Sequence, residues 1–250
     1  MDSILAWSLE AAFDAAWPAL QVVPAGDWLC RSAPGVSRRS NSANPAGGHA
    51  RLTDAGIERI EAVYAKLGQP TYVRLPSLLG DEPDRRLEAR GYAAEGQSLT
   101  LIGPLHGAAA PGEVELSSVP PPEWLAAQNR LNGREGEQAR VFDAVLAAID
   151  APAAYAAVRR QGRIVSAAYA AASDGWLCLE AVATDADWRG RGLAGQTVRV
   201  LMAWGETHGA RAAALQVQAD NVPAQTLYRR LGLRRELYRY HYRKAPQDAA

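Results

Sequence analysis

Apolar and polar positions change period several times along the chain. From Glu113 to Ser117 they alternate, as in a strand with one wet face. The run Pro120-Pro121-Pro122 ahead of Trp124 reads as a helix entry, because proline fits the first turn, where a missing N–H leaves no helical bond unmade. A second helix is expected over Gln138 to Ile149. Three strand-like runs follow, Ala154 to Arg159, Arg163 to Ala172 and Trp176 to Thr184, separated by Gln161-Gly162 and Asp174-Gly175. Asp-Gly is the stronger hairpin signal, since both residues tolerate the positive φ of a tight turn. Past a glycine-rich loop the pattern predicts a helix from about Leu193 to His208 and a strand from Ala212 to Gln218. A helix from Pro223 to Leu231 and a last strand through Tyr238 to Tyr242 complete a mixed α/β chain.

The order repeats. Placing Gly68 on Gly209 also places Gly91 on Gly232 without a gap, an offset of 141 in both cases (209 − 68 and 232 − 91). Helix, strand, helix and a glycine exit recur in the same sequence, which a degenerate internal duplication explains economically. His106 to Gly112, with three alanines, two glycines and Pro111, has linker composition. The expected organisation is a first lobe over 1–105, a linker over 106–112 and a second lobe over 113–250.

At 250 residues and 48% hydrophobic content the chain can bury a sizeable core. Its 27 basic residues balance 27 acidic ones, so no global field draws it to nucleic acid or to an anionic membrane, and any anion site must be local. Cys30 and Cys178 form no Cys-x-x-Cys pair, and His49, His106, His208 and His241 are scattered singly, so no metal site is expected. The thiols fit a reducing cytoplasm. Asp2, Glu10 and Asp14 interrupt the N-terminal apolar residues, unlike a signal peptide, and no stretch reaches the ~18 apolar residues of a membrane helix.

The chemistry concentrates between Val182 and Ala194, where glycines and arginines lie between a strand and a helix. Glycines let a backbone approach a ligand closely, and a helix N-terminus offers unpaired N–H groups to an anion. Gly190-Arg191-Gly192-Leu193-Ala194-Gly195 satisfies the dinucleotide fingerprint G-x-G-x-x-G, with Asp220 near the place of a ribose-binding acid. Only 55 residues follow Gly195 (250 − 195), too few for the remaining units of such a sheet, so an NAD-dependent oxidoreductase fits poorly.

Taken as R-x-x-G-x-A, Arg189 to Ala194 resembles the pyrophosphate loop of the GNAT acetyltransferase family. Asp220 to Leu233 is similar to that family's second signature, an Asn (Asn221) before a short helix that carries Tyr228 and ends in Leu-Gly-aromatic, with Leu233 replacing the aromatic. Both lie in the expected order within 113–250. The resemblance implies a GNAT fold, two tandem GNAT-like lobes, and acetyl-coenzyme A as acyl donor to a primary amine. In that reading the coenzyme's pantetheine arm lies along Val182, Ala183 and Thr184. The pyrophosphate is wrapped by Arg189, Gly190, Arg191, Gly192, Leu193 and Ala194. Asn221 caps its helix and touches the arm, while Tyr228 protonates the departing thiolate. A non-catalytic acyl-coenzyme A sensor is the alternative.

Amine attack needs a proton acceptor. Glu180 is the candidate, sharing strand parity with Val182 and Thr184 among apolar neighbours; the equal alternative is a partly exposed strand glutamate or a salt-bridge partner. The acceptor is an amine-bearing small molecule or peptide, with no nucleic acid or membrane partner, for a monomer or homodimer. At the duplication offset Asn221 falls opposite Gly80 and Tyr228 opposite Leu87, so the first lobe lacks the coenzyme signatures and is left to support the second or shape the acceptor cleft. Its most polar patch, Arg38 to Pro45, could line that cleft and bind an acceptor's anion, and Tyr238, Tyr240 and Tyr242 could wall it or simply pack.

Overall fold

The computed structural model describes residues 3–106 and 113–246. Of the expected linker only His106 is described; 107–112 lie outside the described residues.

The first part runs helix α1 (Ser3–Ala16), strands β1 (Gln21–Ala25), β2 (Trp28–Ser32) and β3 (Ala43–Pro45), helix α2 (Asp54–Leu67), strand β4 (Tyr72–Pro76), helix α3 (Glu82–Ala89) and strand β5 (Ala93–Pro104). The second runs β6 (Val114–Ser117), α4 (Pro122–Leu131), α5 (Gly136–Ala147), β7 (Ala153–Arg160), β8 (Arg163–Ser173), β9 (Trp176–Thr184), α6 (Leu193–Thr207), β10 (Ala212–Gln218), α7 (Val222–Arg230) and β11 (Arg235–Lys244). Each element predicted for the second part is present, and both tight turns have the expected left-handed backbone, with φ of 50° and 75° at Gln161 and Gly162 and 51° and 81° at Asp174 and Gly175.

The described strands form one mixed sheet in the order β1-β2-β3-β4-β11-β5-β10-β9-β8-β7-β6. The duplication is visible in it. Cys30 pairs with Ala43 as Ala171 pairs with Cys178, and Ala43 pairs with Val73 as Cys178 pairs with Ala214. The offset is 141 for β2 and β4 (171 − 30 and 214 − 73) but 135 for β3 (178 − 43). The difference has a simple cause: β8 turns into β9 through Asp174-Gly175, whereas residues 33–42 connect β2 to β3. The repeats also exchange their last strands. β11 lies beside β4, and β5 beside β10, so the sequence boundary between the parts is not a boundary in the sheet.

Helices cover both faces. α6 and α7 bury Val198, Leu201, Met202 and Leu231 against Leu101, Leu177, Leu179 and Leu215. On the opposite face α1 packs Leu9 and Phe13 on Cys178, Ala214 and Tyr238, and α4 and α5 pack Trp124 and Phe142 on Tyr155 and Tyr169. Burial of these apolar areas, at about 25 cal/mol per Å², is what holds the helices to the sheet.

Candidate active site

The site begins with a break in β9. Ala181 has φ of 50°, and the β8–β9 register passes from Tyr169↔Glu180 to Ala167↔Ala183, so Ala181 and Val182 both oppose Ala168. This is a β-bulge, and it turns the alternation over. Val182 joins the face of Leu177 and Leu179, under α6, while Ala181 packs toward α4 and α5. The strict parity expected of Glu180, Val182 and Thr184 therefore fails: Glu180 lies on the opposite face, where Arg39 reaches it from over the Trp17 ring. Gln128 of α4, fully buried, donates through Nε2 to the Ala181 carbonyl and so satisfies the acceptor the bulge exposes.

Beyond the bulge lies a fork. β9 and β10 pair in parallel at Trp176–Cys178 and Ala212–Ala214, and their ladder ends there. Thereafter β9 keeps β8 as partner through Thr184 and β10 keeps β5 through Gln218. Antiparallel neighbours dominate around the loop, unlike the parallel sheet a dinucleotide fold requires.

On the α6 face the fork opens into a cavity of about 460 Å³ bordered by Val182, Thr184, Gly190, Gly192, Leu193 and Tyr228. Asp185 shapes the approach: its carboxylate accepts from the Asp187 N–H at 3.3 Å and from Arg130 at 2.9 Å. Gly190 and Gly192 have φ of 74° and 77°, and a Cβ on either would meet open space. Backbone conformation demands glycine here, and the bare backbone faces open room. Gly192 is also the residue on which α6 starts, so the first-turn N–H groups of Leu193 and Ala194 have no intrahelical acceptor and carry the positive end of the helix dipole. The arginines are anchored beside them. Arg189 Nε donates to the Thr184 carbonyl at 3.2 Å; Arg191 donates to the Asp187 carbonyl at 3.2 Å and lies 4.6 Å over the Trp188 ring.

α7 closes the cavity. Asn221 Oδ1 accepts the Ala224 N–H at 3.1 Å with Pro223 in the first turn, as the sequence predicts for a cap. Gln225 Nε2 ties the helix to the end of β10, donating to the Gln218 carbonyl at 3.2 Å and to that of Ala219, just beyond the strand, at 2.8 Å. Tyr228 is 8% exposed, and its hydroxyl has no hydrogen-bond partner among the described residues. Burial first, and then the Glu180 carboxylate, push its phenol above the ordinary tyrosine range.

The other face holds a polar cleft of about 330 Å³ between the two parts, bordered by Ser37, Arg38, Glu180, Gln216, Tyr240 and Tyr242. Glu180 is buried but paired. Arg39 Nη1 donates to Oε1 at 2.9 Å and Nη2 to Oε2 at 2.6 Å, and Nη1 also reaches Gln216 Oε1 at 3.0 Å. Burial works against the Arg39 charge, yet the Glu180 carboxylate outweighs it and holds the guanidinium above its usual range. Sequence reasoning picked out this arginine patch but offered it to an outside anion; in the fold Arg39 is engaged by Glu180, and Arg38 by Glu95 at 2.6 Å. The tyrosines divide their roles. Tyr240 and Tyr242 line the cleft, with the Tyr240 hydroxyl donating to Gln216 Oε1 at 3.1 Å, whereas the Tyr238 hydroxyl donates to the half-buried Glu10. No group of three or more metal-ligating side chains occurs among the described residues.

The family model described as probable histone acetyltransferase Rv0428c, C-terminal, matches residues 6–243. The chain belongs to this family. Among relatives of the Rv0428c C-terminal family member, the uncharacterized N-acetyltransferase YobR of Bacillus subtilis (strain 168) is 23% identical over 246 residues, 94% of this chain and 96% of its own. A GCN5-related N-acetyltransferase from Kribbella flavida superposes with a TM-score of 0.69 at 19% identity, covering 100% of this chain and 97% of that one. The tandem GNAT protein from the clavulanic acid biosynthesis pathway does so with a TM-score of 0.63 at 15% identity, covering 83% and 76%. This Rv0428c-family protein is an acyltransferase with a tandem GNAT fold, and the first repeat lacks the second's signature residues: Leu87, opposite Tyr228, is fully buried, and Gly80 stands opposite Asn221.

Proposed function

We propose that the protein transfers an acetyl group from acetyl-coenzyme A directly to a primary amine, the coenzyme entering on the α6 face of the fork and the amine on the Glu180 face. The observation that carries this is the fork itself: a cavity with an anion-seeking helix start on one side of the sheet and a buried carboxylate on the other meet where β9 and β10 part. The cavity's dimensions suit a small ligand. Open space at Gly190 and Gly192, with free first-turn donors beside it, fits a pyrophosphate. Val182 to Thr184, and Asn221 opposite, would flank the pantetheine arm. Acetyl-coenzyme A supplies the activated acyl group.

The chain's own residues then have defined tasks. Glu180 accepts the proton the ammonium must lose, directly or through one water, because only the neutral amine has a lone pair to attack with. A strand N–H near Val182 meets charge developing on the acyl oxygen. Tyr228, kept protonated by burial, gives its proton to the departing thiolate. The 330 Å³ cleft favours a small amine or one side chain of a peptide as acceptor. Two unpaired buried thiols favour a reducing, cytoplasmic setting.

Calorimetric titration with acetyl-coenzyme A and, separately, NAD tests the coenzyme site. Wild type should bind the former alone, and Gly192→Asp, which puts bulk and negative charge at φ of 77°, should bind neither. Absence of acetyl-coenzyme A binding by wild type sinks the proposal.

A further inference from the structure

Residues 33–42 stand where the second repeat has only the Asp174-Gly175 turn, so this connection is an insertion relative to the repeat. The matching registers make Pro45 the counterpart of Glu180: each pairs with the residue (Trp28 or Tyr169) that stands at the 141 offset. The first repeat therefore has no carboxylate of its own at this place. Instead its inserted loop crosses to the second repeat's site.

The loop is built to hold its shape. Asn41 Nδ2 donates to the carbonyls of Ala33 at 2.6 Å and Ser37 at 2.7 Å, and its Oδ1 accepts the Ala33 N–H at 2.8 Å. Ser37 Oγ accepts the Arg39 N–H at 3.1 Å. These local bonds fix a single turn and aim Arg39 inward. The guanidinium then lies 4.6 Å over Trp17, a position that orders it at no cost in hydrogen bonds, and it grips both oxygens of Glu180 while bridging to Gln216 across the fork. A carboxylate has about four acceptor positions. Two are taken by Arg39, and the others stay available to an amine or water in the cleft. Glu180 also acts electrostatically on Tyr169 of β8, Cys178 of its own strand and Tyr228 of α7, each held protonated by burial, and shares its cleft with Arg38, Tyr240 and Tyr242. Arg39 is the cation paired directly with it, while Arg38 is engaged by Glu95.

We propose that Arg39 is a positioning residue for acyl transfer: the degenerate first repeat, through its inserted loop, supplies the counter-ion that holds Glu180 in place. The inference rests on Glu180 acting as the proton acceptor, and it gives the first repeat a chemical task in the second repeat's reaction. Loss of the charge leaves a buried carboxylate without a counter-charge, which then holds its proton to higher pH. Loss of the guanidinium's paired donors alone, with the positive charge kept, disturbs the aim of Glu180 more than its charge balance.

The test measures thiol release from acetyl-coenzyme A over a panel of amino acids, polyamines and aminoglycosides, for wild type, Arg39→Gln, Arg39→Lys, Glu180→Gln and the Arg39→Gln/Glu180→Gln double variant, with acetyl-coenzyme A binding by calorimetry as the check on folding. Expected are unchanged coenzyme binding, a kcat reduced ~10²-fold in Glu180→Gln, and an acid limb of kcat/KM displaced to higher pH in Arg39→Gln. Arg39→Lys should keep the limb near its wild-type place with a lower kcat, and the double variant should be no slower than Glu180→Gln alone, since Arg39 acts through that residue. Wild-type turnover absent on every amine, or full activity in Glu180→Gln, overturns the reading of Glu180 and the inference together. Impaired Glu180→Gln beside an Arg39→Gln of normal kcat and unmoved pH profile overturns the inference alone.

Discussion

Asp84, on α3 of the first repeat, accepts hydrogen bonds from Arg243, on the last strand of the second, at 2.7 Å from Nε and 3.1 Å from Nη2. His241 Nε2 is 2.7 Å from the same carboxylate. A helix of one repeat thus clasps the exchanged strand of the other.

The hydrogen bond from Arg243, against a smaller burial penalty, holds the Asp84 carboxyl below the usual carboxylate range. A group with a depressed folded pKa adds stability above its unfolded pKa of about 3.9 and loses it as pH falls through the folded value. Asp84→Asn should cost about 1 kcal/mol at neutral pH, modest because the side chain is partly exposed, and the deficit should vanish in acid. Urea melts of both proteins across pH check this; a constant difference down to strong acid contradicts it.

Gly103 of β5 permits a close crossing. A Cβ there would sit 2.3 Å from the Gly232 carbonyl oxygen and 2.8 Å from its carbon, both backbone atoms with nowhere to move. Gly103→Ala should destabilise by roughly 1–3 kcal/mol, the range for overpacking, read as a lowered Tm.

The bulge at Ala181 stores strain, since a left-handed φ costs a residue with a Cβ about 1 kcal/mol. Ala181→Gly should be close to neutral in stability, relief of strain offsetting lost chain stiffness. Ala181→Val, β-branched in the same conformation, should lower the Tm and, by re-aiming Glu180, lower kcat with it.

Tyr228→Phe removes only the hydroxyl from the coenzyme cavity. Acetyl-coenzyme A should bind as before while kcat falls ~10²-fold. A variant with wild-type kcat would reduce Tyr228 to a packing residue.

Burial pushes the Cys30 thiol up to about 11 and that of Cys178 well above its ordinary range. Only thiolate attacks disulfide reagents, so neither of the 2 cysteines should react in the native protein at neutral pH, and both should do so once urea unfolds it.

Elements of the second repeat were legible because their signals are local: Asp174-Gly175 dictates a turn, Asn221 and Pro223 a helix start, Gly192 a place where only glycine bends the chain at no cost. The face of Glu180 was not, because its bulge is set by Ala181, a residue with no bulge signature, held by Gln128 from a distant helix. Arg39 and Glu180 are separated by 141 residues, and a single sequence carries no mark of that contact. Strand exchange was hidden for a similar reason. The alternating tyrosines Tyr238, Tyr240 and Tyr242 announce β11 as a strand, but the neighbours it chooses are decided by the assembled sheet.

That exchange also orders events at the ribosome. β4 and β5 of the first repeat flank β11, and β11 begins at Arg235, so the first repeat has its sheet incomplete until nearly the whole described chain has been made. An emerging first repeat must wait with one edge of β4 and both edges of β5 unpaired, the state in which chains stray into aggregates. Pairs as distant as Val73 with Arg243 close last and slowly. Recovery of folded protein is therefore expected to respond to translation speed and chaperone supply as well as to the strength of the finished fold.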